Sequence, residues 1–155
     1  MRHEESDQQR SFVAWTRHAL VLKQYPELAL LYCQHNTQRL TAMQAGRWKA
    51  LGGCAGIPDL FLAVSRVNSR QQVYCGLYIE FKRPDLKPKT TRGQGGLSKE
   101  QQIFKKLVEA QNYYYAVCYD WLSAKDVVTC YLQLSALPAK LPLFAVEPRV
   151  SDAAI

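Results

Sequence analysis

Two apolar stretches set the terms for any fold of this chain: GIPDLFLAV, residues 56–64, and LYIEFKRPD, residues 77–85. Each reads as a strand inside a sheet, yet each brings an acid into or beside that strand, Asp59 in the first and Glu80 in the second. A carboxylate held there loses on the order of several kcal/mol of hydration unless a cation, a proton or a hydrogen-bond network offsets it. The fold must supply such a partner twice. Lys82, two residues beyond Glu80, is the first candidate.

Residues Asp59–Val64 and Val73–Lys82 are continuous apolar or β-branched runs separated by the polar SRVNSRQQ, which predicts an antiparallel hairpin. Asp59 opens one strand and Glu80 lies near the end of its partner. Pairing therefore brings both carboxylates to one end of the hairpin, where they can share a cation. Side chains repeat every two residues along a strand, so Glu80 and Lys82 project to the same face.

Around the hairpin, Phe12, Trp15, Ala19 and Leu22 recur at helical spacing and predict an amphipathic helix from Glu5 to Lys23, ended by Pro26. LALLYCQHN reads as a strand from Leu28 to His35. TQRLTAMQAGRWKALGG reads as a helix stopping at Gly52 and Gly53. RPDLKPKTTRGQGG, with Pro84, Pro88, Gly93, Gly95 and Gly96, predicts a mobile loop. A helix then starts at Lys99 behind a Ser98–Gln101 capping box, with Ile103, Phe104 and Leu107 on one face. Tyr113–Tyr119 reads as a strand. SAKDVVTCYLQL reads as a last helix, opened by Ser123 with Asp126 three residues on. The expected fold is α/β, a mixed sheet flanked by helices in the order α-β-α-β-β-α-β-α. It forms one domain over residues 1–135, with an irregular tail over 136–155.

Composition narrows the function classes. No stretch approaches the roughly 20 apolar residues of a membrane helix, and the polar start MRHEESDQQR predicts no secretion signal. The five cysteines are odd in number, widely spaced and set mostly among apolar neighbours. That pattern predicts buried free thiols in a reducing cytoplasm rather than disulfides or a zinc site. The net charge is +7, and between Lys82 and Lys106 eight basic residues face two acids. Such a run beside a cation site predicts phosphate binding, with Arg83, Lys87, Lys89, Arg92 and Lys99 as candidate DNA contacts. The sequence carries no zinc finger or separate helix-turn-helix, so phosphate contact and shape should outweigh base readout. An oxygen-rich site suits Mg²⁺ or Mn²⁺. With Lys82 orienting the nucleophile or stabilising the transition state, the chemistry is phosphodiester hydrolysis.

GIPDLFLAV, IEFKRPD and the downstream LSKEQQIF together resemble the virus-type replication-repair nuclease (VRR-NUC) domain, a branch of the PD-(D/E)xK nuclease superfamily. ESDQQRSFVAW resembles that family's first helix, in which a glutamate and a glutamine four residues later precede an aromatic anchor. YCQHNT resembles its strand carrying an asparagine. The resemblance covers roughly residues 5 to 120 and implies a restriction-endonuclease-like core. It implies metal ligation by Asp59 and Glu80, with support from Glu5 and the backbone carbonyl of Phe81, and catalysis by Lys82. It places Gln9 and Gln101 along the site and Asn36 near it. It also implies a Mg²⁺- or Mn²⁺-dependent endonuclease without an organic cofactor, cytoplasmic and encoded by a bacterium or phage. Similarity to small stand-alone members implies a homodimer cutting branched DNA such as four-way (Holliday) junctions in DNA repair. The hairpin turn and the basic loop are longer than in compact members. Three alternatives stay open: a monomeric nuclease for flap or duplex DNA, a non-catalytic DNA-binding module using the basic loop, and a purely structural interaction protein. Glu5 has a plainer explanation as a first-turn acid favoured by the helix dipole, and Gln101 as half of a capping box.

Overall fold

The structure, a computed structural model, describes residues 3–34, 41–88 and 95–137. Its centre is a four-stranded sheet in the order β1 (Leu31–Cys33), β2 (Leu60–Leu62), β5 (Leu77–Phe81), β6 (Tyr114–Cys118). β1 and β5 each run antiparallel to β2, while β6 lies parallel to β5 after a crossover through α4 (Lys99–Ala110). The mixed α/β architecture expected from the sequence is the one observed.

One face of this sheet holds the core. Leu60, Leu62, Leu77, Ile79 and Phe81 are buried there against Phe12 of α1 (His3–Thr16) and Val128 of α5 (Trp121–Leu132). The alternation that buries these residues turns Phe61, Tyr78 and Glu80 to the opposite face. That second face is covered in part by α4, whose Phe104 ring packs 5.4 Å from Tyr78. A three-stranded sheet, β4 (Val73–Tyr74), β3 (Arg66–Val67), β7 (Ser135–Ala136), sits beside the first.

Several expectations are corrected. The first helix does not run on to Lys23: it ends at Thr16, and α2 (Ala19–Gln24) starts afresh after an extended His18. Nothing local forces this break; the Arg17 guanidinium reaches out to donate to the carbonyls of Leu28 and Leu31. The strand read from Leu28 begins as a 3-10 turn, Pro26–Leu30, because a proline at its start supplies helical φ. The hairpin is not a single ladder. Leu60–Leu62 pairs with Leu77–Phe81, whereas Arg66–Val67 pairs with Val73–Tyr74 in the other sheet, where Arg66 is buried. The last helix is opened by Asp120, whose carboxylate accepts from the Ser123 N–H, so Ser123 sits inside the first turn. Four cysteines, Cys33, Cys54, Cys75 and Cys130, are exposed and only Cys118 is buried. Ala136, assigned to the tail, pairs with Arg66. No helix among the described residues is long and apolar enough to cross a membrane. The run Tyr113–Tyr115 is core only at Tyr115; Tyr114 is 41% exposed.

The third helix and α4 start as the sequence requires. Thr41 and Gln44 form a capping box for α3 (Ala42–Ala50), and Ser98 and Gln101 form one for α4. Each satisfies two helix-end groups that would otherwise be orphaned.

Candidate active site

Leu60 of β2 lies opposite Ile79 of β5, and one step further toward the site brings Asp59 opposite Glu80. The two acids therefore leave neighbouring strands on one face, at one end of the sheet. Asp59 Oδ2 accepts a 2.8 Å hydrogen bond from the Phe81 N–H. Carried one residue further, past the bend at Asp59, the same pairing would bring Pro58 opposite Phe81. Proline has no N–H to give the ladder, and a strand residue's N–H and C=O point to the same side. The Phe81 carbonyl is thus aimed at the Asp59 side, opposite a residue that cannot donate to it.

Glu80 is 1% exposed. Its Oε1 takes two donors, the Lys82 ammonium at 2.7 Å and the Gln101 side-chain amide. Its Oε2 is buried with no hydrogen-bond partner. Burial first, and then the Asp59 charge, push the Glu80 carboxyl up to about 7, with Lys82 and Gln101 pulling the other way. The Lys82 ammonium, 13% exposed and two residues along the strand, pairs with Glu80 Oε1.

Gln101 holds both roles the sequence left open. Its Oε1 accepts from the Ser98 N–H, closing the capping box, while its Nε2 donates to Glu80. The start of α4 is thereby fastened to the site. Gly56 sits under the same helix turn at φ +83, and a Cβ there would run into the Glu100 carbonyl.

The remaining candidates divide. Glu5 reaches the same strand end, where its Oε1 accepts from the Arg83 N–H at 3.0 Å. Gln9 lies along β1, its amide 3.8 Å from Cys33 Sγ. The Cys33 thiol is itself pushed up, by burial and then by Asp59. Arg83 is ion-paired to Asp85 at 2.7 Å, and Lys87 and Lys99 are exposed. Asn36, His35, Lys89 and Arg92, with residues 89–94 of the loop read as mobile, lie outside the described residues. Among the described residues no three His, Cys, Asp or Glu side chains gather closely enough to hold a metal by themselves.

The donor set nonetheless fits a hard divalent ion. Two carboxylates and a carbonyl are all oxygen, and such ions take several waters or phosphate oxygens to complete their shell. The orphaned Glu80 Oε2 is the specific observation: a buried acceptor that a bound cation, a proton or an ordered water would satisfy. Sequence reasoning missed Pro58 as the residue opposite Phe81 and Gln34, whose N–H donates to the Asp59 carbonyl at 3.0 Å. Register alone discloses both.

A mixed sheet with two acids and a lysine gathered at one end of paired strands is a PD-(D/E)xK-like core. The VRR-NUC domain family matches residues 3–121, and the chain belongs to that family, which makes it a nuclease-type domain that processes DNA. A solved structure described as a VRR_NUC domain protein aligns with a TM-score of 0.64, covering 87% of this chain and 93% of that one. At 20% identity that likeness speaks for the fold alone. No curated protein matches the chain significantly.

Proposed function

We propose that the protein is a Mg²⁺- or Mn²⁺-dependent endonuclease hydrolysing DNA phosphodiester bonds. The observation that carries this reading is the Glu80 carboxylate, with two donors crowded on one oxygen and none on the other, beside a second acid. Two carboxylates side by side repel a phosphodiester, and a divalent ion held between them makes its approach favourable.

Asp59, Glu80 and the Phe81 carbonyl would hold the ion, with Glu5 within reach of the same strand end. Bound there, a divalent ion lowers the pKa of a coordinated water and offsets charge developing on the phosphate. The chain's own residues do the rest. Gln101 and Lys82 fix the orientation of Glu80 through Oε1, so that Oε2 faces the site. The Lys82 ammonium, anchored on the edge of the carboxylate row, is placed to orient the attacking water or to donate to a non-bridging oxygen. Arg83, Lys87, Lys89, Arg92 and Lys99 would line the path of the backbone, joined by Asn36 and by Gln9 beside β1.

Branched DNA is the preferred substrate in this reading and a homodimer the acting form, because two sites related by a two-fold axis cut two strands of a junction symmetrically. Labelled four-way, flap and linear DNA, incubated with Mn²⁺, test it: paired symmetric nicks on the junction are expected, and preference for the flap would end the junction assignment. Lys82→Ala tests the chemistry. Cleavage should fall roughly 100- to 1,000-fold while DNA binding persists; undiminished cleavage by the variant would remove Lys82 from the chemistry, and binding without cleavage by the wild type would leave only a DNA-binding module.

A further inference from the structure

A row of four aromatic side chains crosses the central sheet one step away from the carboxylates. The registers pair Tyr32 with Phe61, Phe61 with Tyr78 and Tyr78 with Tyr115, so the row runs β1, β2, β5, β6 without interruption. Paired residues share a face, and Tyr78 and Glu80 share one by the two-residue repeat. The next row toward the site is Gln34, Asp59, Glu80 and Val117. The two rows are two residues apart, about 7 Å.

The row has a covered end and an open end. Tyr115 is 7% exposed, with the Lys105 ammonium 5.7 Å above its ring. Phe61 and Tyr78 are half-buried, their centroids 4.5 Å apart. Tyr32, on the edge strand, is 49% exposed. Beside the row the surface is low at the exposed Ala63, just past β2, and at Gly76, where a Cβ would lie 2.7 Å from the Phe61 ring; further in, the Tyr113 ring packs 5.9 Å from Phe61 and 5.5 Å from Tyr78, which leaves Tyr32 as the exposed ring.

We infer that this aromatic row is a stacking platform for bases of the cut strand that are unpaired or opened beside the branch point, so that branched DNA meets the site with single-stranded character at the scissile phosphate. The inference rests on the nuclease reading of the adjacent carboxylate row. A base inside a duplex has both faces stacked on its neighbours and none to offer a sheet; an unpaired base has a free π-face. Flat rings with polar tips, set in a domain of net charge +7, are what a single strand engages, stacking its bases while cations hold its phosphates. A second copy of this chain is the competing occupant. It gains nothing from the coincidence of the row with the carboxylates, whereas a base does, since its own phosphate then lies at Asp59 and Glu80.

The test uses Tyr32, which is exposed at the sheet edge, so that Tyr32→Ala leaves the core intact. Anisotropy titrations in EDTA compare a labelled single strand with the duplex of the same sequence, and Mn²⁺ assays compare gapped with fully paired DNA. Tyr32→Ala should weaken single-strand binding roughly 5- to 100-fold relative to duplex and erase the preference for gapped DNA; Tyr32→Phe should restore both. Equal loss on both DNAs, or no loss, overturns the platform. So does a dimer converted to monomer in sedimentation with strand binding intact. Should wild-type protein cut DNA with no Tyr32-dependent preference, the platform falls and the nuclease reading stands. Tyr32-dependent strand binding in a protein that cuts nothing with Mn²⁺ overturns the nuclease reading and keeps the platform.

Discussion

Glu80 sets the chemistry of the smallest scale. Its carboxyl is raised from 4.5 to about 7 by burial and then by Asp59, so between those values the folded state binds more protons than the unfolded one. Stability therefore falls as pH rises across that window: the contribution is whole below pH 4.5 and gone above about 7. Urea denaturation in EDTA should show wild type losing up to about 3 kcal/mol over this range, and Glu80→Gln should lack the loss. Mn²⁺ at pH 8 should restore wild type and leave the variant unmoved; parallel pH profiles would refute the assignment. This residue was legible because a two-residue offset fixes the face of Lys82 and an antiparallel register fixes Asp59. The thiols were not. Apolar neighbours in sequence do not tell which face a side chain takes, and Cys33 on the edge strand β1 and Cys130 on α5 turn outward.

Elements with local start signals were readable in advance; those shaped by distant contacts were not. Ser98 and Gln101 announce α4, and strand β6 follows from its β-branched and aromatic run. The break at Arg17 depends on carbonyls more than ten residues away, and the split of the hairpin depends on Arg66 meeting Glu27 and the Leu132 carbonyl. Neither partner is visible from the local pattern. The same reasoning makes Gly56 a test of how an element serves the site. Its φ of +83 disfavours any other residue, and a methyl group there must push the first turn of α4 away. Gly56→Ala should cost about 1–3 kcal/mol and displace Gln101 from Glu80. Cleavage should then drop by more than the unfolded fraction explains, which a rate measured against circular dichroism under the same conditions resolves.

Across the whole molecule, one ion pair with its arginine buried and one charge gradient matter most. Arg66, 5% exposed, donates to Glu27 at 2.6 Å, to the Ser65 carbonyl and to the Leu132 carbonyl. It ties the 3-10 turn before β1 and the end of α5 to the smaller sheet. Arg66→Ala would strand these acceptors, at about 3 kcal/mol, lowering the urea midpoint without altering Glu80's pH window. The charge gradient acts on the partner instead. Of the eight basic residues between Lys82 and Lys106, Lys82 is committed to Glu80, Arg83 to Asp85 and Lys105 to Glu109 at 3.8 Å. Lys87, Lys89 and Arg92 follow β5 in sequence beyond the Pro84–Leu86 turn, and on the proposed function they take phosphates flanking the cut. Each phosphate contact releases condensed counterions and steepens the salt dependence of binding by about 0.9 in log–log slope on duplex DNA. Replacing Lys87, Lys89 and Arg92 together by alanine should therefore flatten the slope by up to about 2.7 units and weaken binding to every sequence alike, read from anisotropy titrations over a range of salt. An unchanged slope would mean that the loop faces away from the DNA and that the backbone is held by Lys99 and Lys106 along α4 instead.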